Sequence, residues 1–148
     1  MEERFETFTV QIATISRLIR KIKTEEMAER NLKGPHVSCL YYIYKSESLT
    51  AKELCDICSE DKAAISRSLE YLEENGYVAC ASGAKKRYKA ELTLTEKGKS
   101  VGAYIAEKVD AVVEQAGEGL TEAERAILYK SLALIGNNLQ KICEKYGG

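Results

Sequence analysis

Residues 49–98 read LTAKELCDICSEDKAAISRSLEYLEENGYVACASGAKKRYKAELTLTEKG, and two helix start signals stand in this stretch. Thr50 and Glu53 have the spacing of a capping box, in which each side chain accepts a hydrogen bond from the backbone N–H of the other residue. A helix is therefore predicted from Thr50 to about Cys58. A short polar turn follows, and Asp61 in that turn is predicted to be the N-cap of a second helix.

The predicted second helix covers residues 61–75 and has one apolar face. That face contains Ile65, Leu69 and Leu72, which follow one another at steps of four and three. Gly76 ends the helix, because glycine tolerates the left-handed conformation that often follows a last helical turn. Two short helices joined by a tight turn form a helix-turn-helix.

The residues after this helix predict a two-stranded β-hairpin. Residues 77–82 favour a strand, residues 83–86 favour a turn, and from Arg87 the apolar residues recur at every second position. One face of the second strand contains Tyr88, Ala90, Leu92 and Leu94. A helix-turn-helix followed by such a hairpin is a winged helix-turn-helix, a fold that places one helix in a DNA groove. The predicted fold is thus mainly α with a small β-hairpin wing.

The composition of the whole chain agrees with one helix-rich domain. The chain has 148 residues, of which 45% are hydrophobic and 30% are charged. This length is enough to bury a core but short for a typical two-domain enzyme. No N-terminal segment looks like a signal peptide, and no apolar run approaches the roughly 20 residues of a membrane helix. We therefore expect a cytoplasmic protein without a membrane partner.

Both ends of the chain predict helices with more apolar surface than a compact domain needs. Residues 5–22 place large apolar residues at steps of three and four, as in an amphipathic helix that packs on its own core or on another subunit. The dipeptide at 34–35, glycine and proline, ends this run, and residues 36–45 read as a short apolar helix. Thr95 can cap a further helix, which a glycine-containing break at 117–119 separates from a last one.

The last helix begins with a second capping box, formed by Thr121 and Glu124. Its apolar stripe is wider than one neighbouring helix usually covers. The stripe contains Ile127, Leu128, Leu132, Leu134, Ile135, Leu139 and Ile142. The two terminal regions are therefore predicted to be dimerisation helices that flank the winged helix-turn-helix.

The distribution of charge matters more than its total, because a formal net charge of -1 gives no overall preference for a polyanion. On the predicted helix 61–75, the polar face carries Lys62 and Arg67 in its first half and glutamates in its second half. Since carboxylates repel phosphates, only the first half can enter a DNA groove closely. The hairpin adds the cations Lys85, Lys86, Arg87 and Lys89. A solvated polar face is the alternative interpretation of these charges.

Five segments of the chain resemble the MarR family of transcription regulators. They are LTAKEL at 49–54, DKAAISR at 61–67, LEENGYV at 72–78, LTEKG at 94–98 and LTEAE at 120–124. The resemblance spans nearly the whole chain. It implies a sequence-specific DNA-binding transcriptional regulator, usually a repressor, that binds a pseudopalindromic operator as a homodimer and is often released by a small-molecule effector. It also implies one MarR-like domain at 1–148, with a winged helix-turn-helix lobe at 34–98 and a helical dimerisation region at 1–33 and 99–148.

The resemblance further implies which residues contact double-stranded DNA. The major-groove residues would be Lys62, Ala63, Ala64, Ser66 and Arg67. Thr50, at the start of the preceding helix, is also predicted to contact DNA, and the hairpin segment 85–89 would lie in the minor groove. Lys85 stands where the family commonly has an aspartate, two residues before the wing arginine. Ligands of the family lodge between the DNA-binding lobe and the dimerisation helices, which here indicates Ile15, His36, Leu40 and Tyr104.

The five cysteines allow a second interpretation. Cys55 and Cys58 form a CxxC motif, and together with His36 and Cys39 they resemble a four-ligand zinc set. Such sets normally lie on turns, whereas these cysteines fall within predicted helices, so we predict neither a metal site nor a cofactor and expect small buried side chains. Oxidant sensing through Cys55, Cys58, Cys80 or Cys143 stays open.

Two other functions stay open beside a DNA-binding regulator. A winged helix can serve as a protein-interaction module, and a CxxC motif can serve in a thiol oxidoreductase. Operator binding should weaken with salt by about 0.9 in log-log slope for each phosphate neutralised, whereas an oxidoreductase should turn over a dithiol and lose that activity in Cys55→Ser. With one histidine, no phosphate-binding glycine loop and no nucleophile elbow, the chain is not expected to be an enzyme.

Overall fold

The computed structural model describes residues 5–58, 60–80 and 90–147. Its chain divides into two compact units, Met1–Glu107 and Lys108–Gly148. The elements in chain order are α1 (Phe5–Met27), a 3-10 turn (Ala28–Arg30), α2 (Gly34–Ser46), β1 (Leu49–Thr50), α3 (Ala51–Cys58), α4 (Lys62–Glu74), β2 (Val78–Cys80), β3 (Glu91–Leu94), α5 (Glu96–Ala116) and α6 (Glu122–Glu144). Across these ranges, no helix combines the length and the apolar character that crossing a bilayer requires.

The two helices of the predicted helix-turn-helix are α3 and α4, and both begin at the predicted caps. The Glu53 N–H donates to Thr50 Oγ1 at 3.1 Å, and the Thr50 N–H donates to Glu53 Oε1 at 3.3 Å. At the start of α4, the Ala64 N–H donates to Asp61 Oδ1 at 2.7 Å. Gly76 follows the helix with a φ of 76°, a left-handed conformation that glycine adopts without a steric penalty. The predicted helix-turn-helix is confirmed.

The sheet has three strands in the order β1-β3-β2, one more than the predicted hairpin. β3 is the central strand and pairs antiparallel with both neighbours, with Leu92 opposite Leu49 and Leu94 opposite Val78. Within β3, Leu92 and Leu94 are buried while Glu91 and Thr93 are exposed, as the alternation predicts. β1 has two residues, too few to show a period of two, so its pairing could not be predicted.

Part of the predicted wing lies outside the described residues. This applies to the turn at 83–86, to Arg87 and Tyr88, and to the end of the predicted first strand at 81–82. The described part of the hairpin, β2 and β3, confirms a fold that is mainly helical with a small antiparallel sheet.

α4 is held in place by apolar packing against α2 and α3. The side chains below 2% exposure are the centre of this core, and among them are Leu40 and Ile43 of α2, Leu54 of α3 and Leu72 of α4. Burying a side chain of this kind contributes about 1.5–3 kcal/mol. The face of α4 that includes Ile65 and Leu72 is therefore fixed inward, and the opposite face is presented to solvent.

α1 is longer than the periodic apolar residues at 5–22 predict. The helix continues from residue 22 to Met27, whose side chain is 2% exposed, and the following Leu32 is equally buried. These two residues anchor the end of α1 to the core. Earlier in the helix, Ile15, Ile19 and Ile22 of the predicted seam are between 40% and 50% exposed in the single chain.

The second unit contains the end of α5 and the whole of α6. The predicted capping box is confirmed, because the Glu124 N–H donates to Thr121 Oγ1 at 3.1 Å and the Thr121 N–H donates to Glu124 Oε2 at 2.8 Å. In the turn before α6, Arg125 Nη2 donates to the Gly117 carbonyl at 3.0 Å. No residue of α6 is buried, and Ile127 and Leu134 are 65% and 59% exposed.

Candidate nucleic-acid interface

The exposed face of α4 changes in charge along the helix, as the sequence predicts. Lys62, Ala63, Ser66 and Arg67 are exposed in the first half. Glu70 and Glu74 are exposed in the second half. Since the opposite face is buried, the cationic first half is the part of α4 that can approach a polyanion without bringing carboxylates into contact with it.

The first half of α4 also borders the sheet that carries the wing. A cavity of about 330 Å³ lies between them, lined by Ala51, Lys62, Ser66, Leu69, Glu70, Glu73, Cys80 and Leu92. Lys62 and Ser66 line it from the first half of α4, Leu69, Glu70 and Glu73 line it from the second half, and Cys80 and Leu92 line it from the two strands of the hairpin. The predicted wing cations at 85–89 lie outside the described residues, but the strands on either side of them open onto this surface of α4.

Two of the residues predicted to contact DNA, Thr50 and Ala64, lie away from the exposed surface of α4. The Thr50 hydroxyl accepts from the Glu53 N–H and donates to Glu53 Oε1 at 2.9 Å, so its one proton is used in the cap of α3. Ala64 is half-buried and lines a different cavity, on the side of α4 that faces α2. The structure thus groups Lys62, Ala63, Ser66 and Arg67 on one surface and places these two elsewhere.

The cavity beside Ala64 is a cleft of about 560 Å³ between α1, α2, the end of α3, and α4. Its lining includes three cations, Arg20, Lys23 and Lys33, and one carboxylate, Glu60. Lys23 Nζ donates to Ser38 Oγ at 3.0 Å, which holds the ammonium group at the cleft wall. The cleft therefore combines an excess of positive charge with apolar lining from Pro35, Tyr42 and Ile57.

The four residues predicted to form a ligand pocket do not line this cleft. Leu40 is fully buried, and Ile15 is 50% exposed on α1. The His36 ring stacks on Tyr71 of α4, and the Tyr104 ring lies under the Arg30 guanidinium. That set of four stays a prediction. The cleft residues Arg20 and Lys23 were missed because their only sequence signal is two cations about one helical turn apart, which is common on solvated helices.

The cysteines of α2 and α3 form a hydrogen-bonded pair rather than a ligand set. The Cys39 thiol donates to Cys58, so the hydrogen bond and burial raise the pKa of Cys39, while the same hydrogen bond and the nearby Lys23 ammonium lower the pKa of Cys58. Cys55 is half-buried in α3. In the described ranges, no three or more histidine, cysteine or acidic side chains are arranged to hold a metal ion.

Comparison with known proteins identifies a family model and solved structures that resemble this chain. A family model described as MarR family matches residues 30–87, which include α2, α3 and α4. Among solved structures, a protein from Listeria monocytogenes described as a MarR family transcriptional regulator, complexed with a 26mer DNA, is 27% identical, with a TM-score of 0.79 over 94% of this chain and 90% of that chain. The central segment of the chain thus matches the MarR family model, and the chain has the fold of solved MarR proteins. None of the curated proteins matches this chain.

Other solved MarR proteins share the fold of this one along nearly their full length. NMB1585, a MarR family regulator from Neisseria meningitidis, is 19% identical with a TM-score of 0.82 over 97% of this chain and 99% of that chain. A MarR protein from Peptoclostridium difficile is 21% identical with a TM-score of 0.83 over 95% of this chain and 92% of that chain. The likeness in fold therefore covers nearly the whole chain and is not confined to the segment that the family model matches.

Proposed function

We propose that this protein is a sequence-specific DNA-binding transcription regulator of the MarR type that places the first half of α4 in the major groove. The observation that carries the proposal is the exposed surface formed by Lys62, Ser66 and Arg67 opposite a buried apolar face. The related Listeria protein was solved in complex with DNA. In the proposed complex, Arg67 reads base edges, because an arginine can form a bidentate contact with guanine, and Lys62 binds phosphate.

Substitution of Arg67 tests this assignment. Arg67→Ala should weaken binding to the operator roughly 5- to 150-fold, the range that corresponds to one bidentate base contact, and leave binding to unrelated DNA nearly unchanged. The operator is first selected from fragments of the source genome, and affinity is then measured by fluorescence anisotropy at one salt concentration. Lys86→Ala, in the wing, should instead weaken all sequences alike.

Two controls separate this function from the alternatives. Lys145→Ala also removes one exposed positive charge, but outside the proposed lobe at 34–98, and should leave operator affinity within about twofold. The slope of affinity against salt should be steep, at about 0.9 for each phosphate neutralised. A flat salt response, or equal losses on all sequences in Arg67→Ala, would contradict the proposal and favour a protein-interaction module.

We further propose that the protein acts as a homodimer on a pseudopalindromic operator. What supports this is the unpartnered apolar surface of α1 and α6, since exposed apolar surface of this extent on a soluble chain usually marks an interface. Two copies related by a twofold axis would present two α4 helices to successive major grooves. The domain limits 1–33, 34–98 and 99–148 belong to this proposal.

Finally, we propose that the protein is a repressor and that a small anionic effector binds in the cleft near Lys23. An effector changes operator affinity only if it binds one arrangement of the protein better than another, and a cleft bounded by α1, α2 and α4 changes shape when α4 moves. Benzoate is a suitable probe because it combines a carboxylate with an apolar ring, and we expect it to weaken operator binding by the wild-type protein.

The effector prediction is tested with two lysines of the same helix. Lys23→Met should abolish the benzoate effect, because it removes the ammonium from the cleft while keeping a similar stem. Lys21→Met is the matched control, since Lys21 is exposed and does not line the cleft. Titration of operator affinity against benzoate measures both. Equal benzoate responses in the two variants would show that the anion acts elsewhere.

A further inference from the structure

The turn between α1 and α2 contacts the second half of α4 through Tyr71. The Tyr71 hydroxyl donates to the Asn31 carbonyl at 2.6 Å. Tyr71 also makes an aromatic contact: the His36 ring stacks on the Tyr71 ring with centroids 4.2 Å apart and planes 9° from parallel. Asn31, His36 and Tyr71, here called the Tyr71 clamp, thus hold α4 both by a hydrogen bond and by a ring stack.

Both partners of Tyr71 are themselves fixed. Asn31 has a left-handed φ of 57°, and its N–H donates to the Ala28 carbonyl at 3.1 Å. The next residue, Leu32, is 2% exposed. The Lys33 N–H donates to His36 Nδ1 at 3.0 Å, which sets the orientation of the imidazole ring. Burial and the Lys33 charge lower the pKa of His36, so near neutral pH the ring is uncharged and Nδ1 can accept this hydrogen bond.

The same turn contacts α5 through the residue next to Asn31. The Arg30 guanidinium carbon lies 4.4 Å from the centroid of the Tyr104 ring, a cation–π contact with one of the long flanking helices. Adjacent residues of one turn therefore hold α5 on one side and α4 on the other. A rotation of α4 about its axis would break the contacts of Tyr71 with Asn31 and His36.

Tyr71 lies four residues after Arg67, which places the two side chains on neighbouring positions of the same side of α4. Resting on the proposed DNA-binding function, we propose that the Tyr71 clamp positions α4 so that Arg67 meets its base. Tyr71 itself is a positioning residue and does not touch DNA. Loss of its hydroxyl leaves Arg67 in place on the helix but relaxes the rotational setting of α4, which reduces the specific contact and spares binding to phosphates.

A double-mutant cycle on operator binding tests this role. Tyr71→Phe removes one hydroxyl and keeps the ring, and it should weaken operator affinity by up to about fivefold, the most that the loss of one net hydrogen bond can contribute. Affinity for unrelated DNA should be unchanged. In the Arg67→Ala background, Tyr71→Phe should cause no further loss, because its effect passes through Arg67 and the two losses are then not additive.

Three further variants complete the test. Tyr146→Phe removes a hydroxyl from a side chain that is 83% exposed and should change nothing. His36→Ala removes the ring stack and should resemble Tyr71→Phe, while His36→Phe restores an aromatic face and should recover most of the operator affinity. Circular dichroism melting of each variant, at one protein concentration, confirms that the compared proteins are folded.

The outcomes of this experiment separate the two proposals. The positioning role is wrong if Tyr71→Phe leaves operator affinity unchanged, lowers specific and non-specific affinity equally, or adds its full effect to that of Arg67→Ala. If wild-type protein binds operator and unrelated DNA equally, the proposed function fails first, and the positioning role fails with it. Operator preference in the wild type together with additive losses would overturn the positioning role alone.

Discussion

Gly98→Ala should destabilise the protein by about 3 kcal/mol, at the upper end of what overpacking a core position costs. Gly98 is buried in the first turn of α5, against the Tyr77 backbone and Leu94 of β3. A methyl group there would overlap the Tyr77 carbonyl oxygen and lie 3.0 Å from the carbonyl carbon and 3.2 Å from Leu94 Cδ2. Backbone atoms cannot move aside as the end of a flexible side chain can.

The Tyr77 carbonyl is held firmly, which is why the clash should be costly. It accepts a hydrogen bond from the Thr95 N–H at 3.1 Å. The Thr95 hydroxyl donates to the neighbouring Gly76 carbonyl at 2.6 Å and accepts from the Gly98 N–H at 3.0 Å, as the N-cap of α5. A shift of α5 that relieved the clash would carry Thr95 with it and break the hydrogen bonds that join α5 to residues 76 and 77.

Thermal unfolding measures this effect, and a loss of 3 kcal/mol should lower the Tm by roughly 10 °C for a chain of this size. Gly34→Ala is the matched control, because a methyl group at Gly34 meets nothing within 4 Å, and its Tm should stay within about 2 °C. Both variants are melted at the same concentration, since association shifts apparent stability. A Tm for Gly98→Ala equal to that of the control would contradict the prediction.

The double variant Ile127→Glu with Leu134→Glu should convert the proposed homodimer into a monomer. The two residues are seven positions apart on α6, so they share one side of the helix, and they are 65% and 59% exposed. Half-buried Leu132 lies on a different side of the helix. The apolar stripe is thus only partly used within the chain, and the remaining part is available to a second copy.

The expected loss is large because each glutamate would be buried without a partner in the dimer. Removing a carboxylate from water without compensation costs several kcal/mol, and two such changes should weaken dimerisation by more than about 100-fold. The single chain should still fold, since no residue of α6 is buried in it. Sedimentation velocity at low micromolar concentration should show a dimer for the wild type and a monomer for the variant.

A second pair on α6 controls for the added charge. Ala133 and Gln140 have the same spacing of seven residues but lie on the side of α6 away from the apolar stripe, and both are exposed. Ala133→Glu with Gln140→Glu should therefore remain dimeric. If both variants become monomers, charge repulsion rather than the apolar surface explains the result, and if wild-type protein is itself monomeric, the homodimer proposal is wrong.

The sequence was sufficient for features that depend on residues close together in the chain. The capping boxes at Thr50 and Thr121 and the N-cap at Asp61 each link groups three residues apart, so their side chains alone identify where helices begin. The alternation of Leu92 and Leu94 indicated the inward face of β3. The helical period also predicted that Lys62 and Arg67 share the exposed face of α4.

The tertiary structure decided what depends on distant residues. Leu49 belongs to a strand because it pairs with Leu92. α1 continues to Met27 because that side chain reaches the core. The Cys58 thiol forms a hydrogen bond with Cys39 of another helix. The Tyr71 hydroxyl finds the Asn31 carbonyl 40 residues earlier in the chain. Helix caps and periodic faces are set by neighbouring residues, whereas these contacts exist only after packing brings separate elements together, so no local pattern of amino acids encodes them.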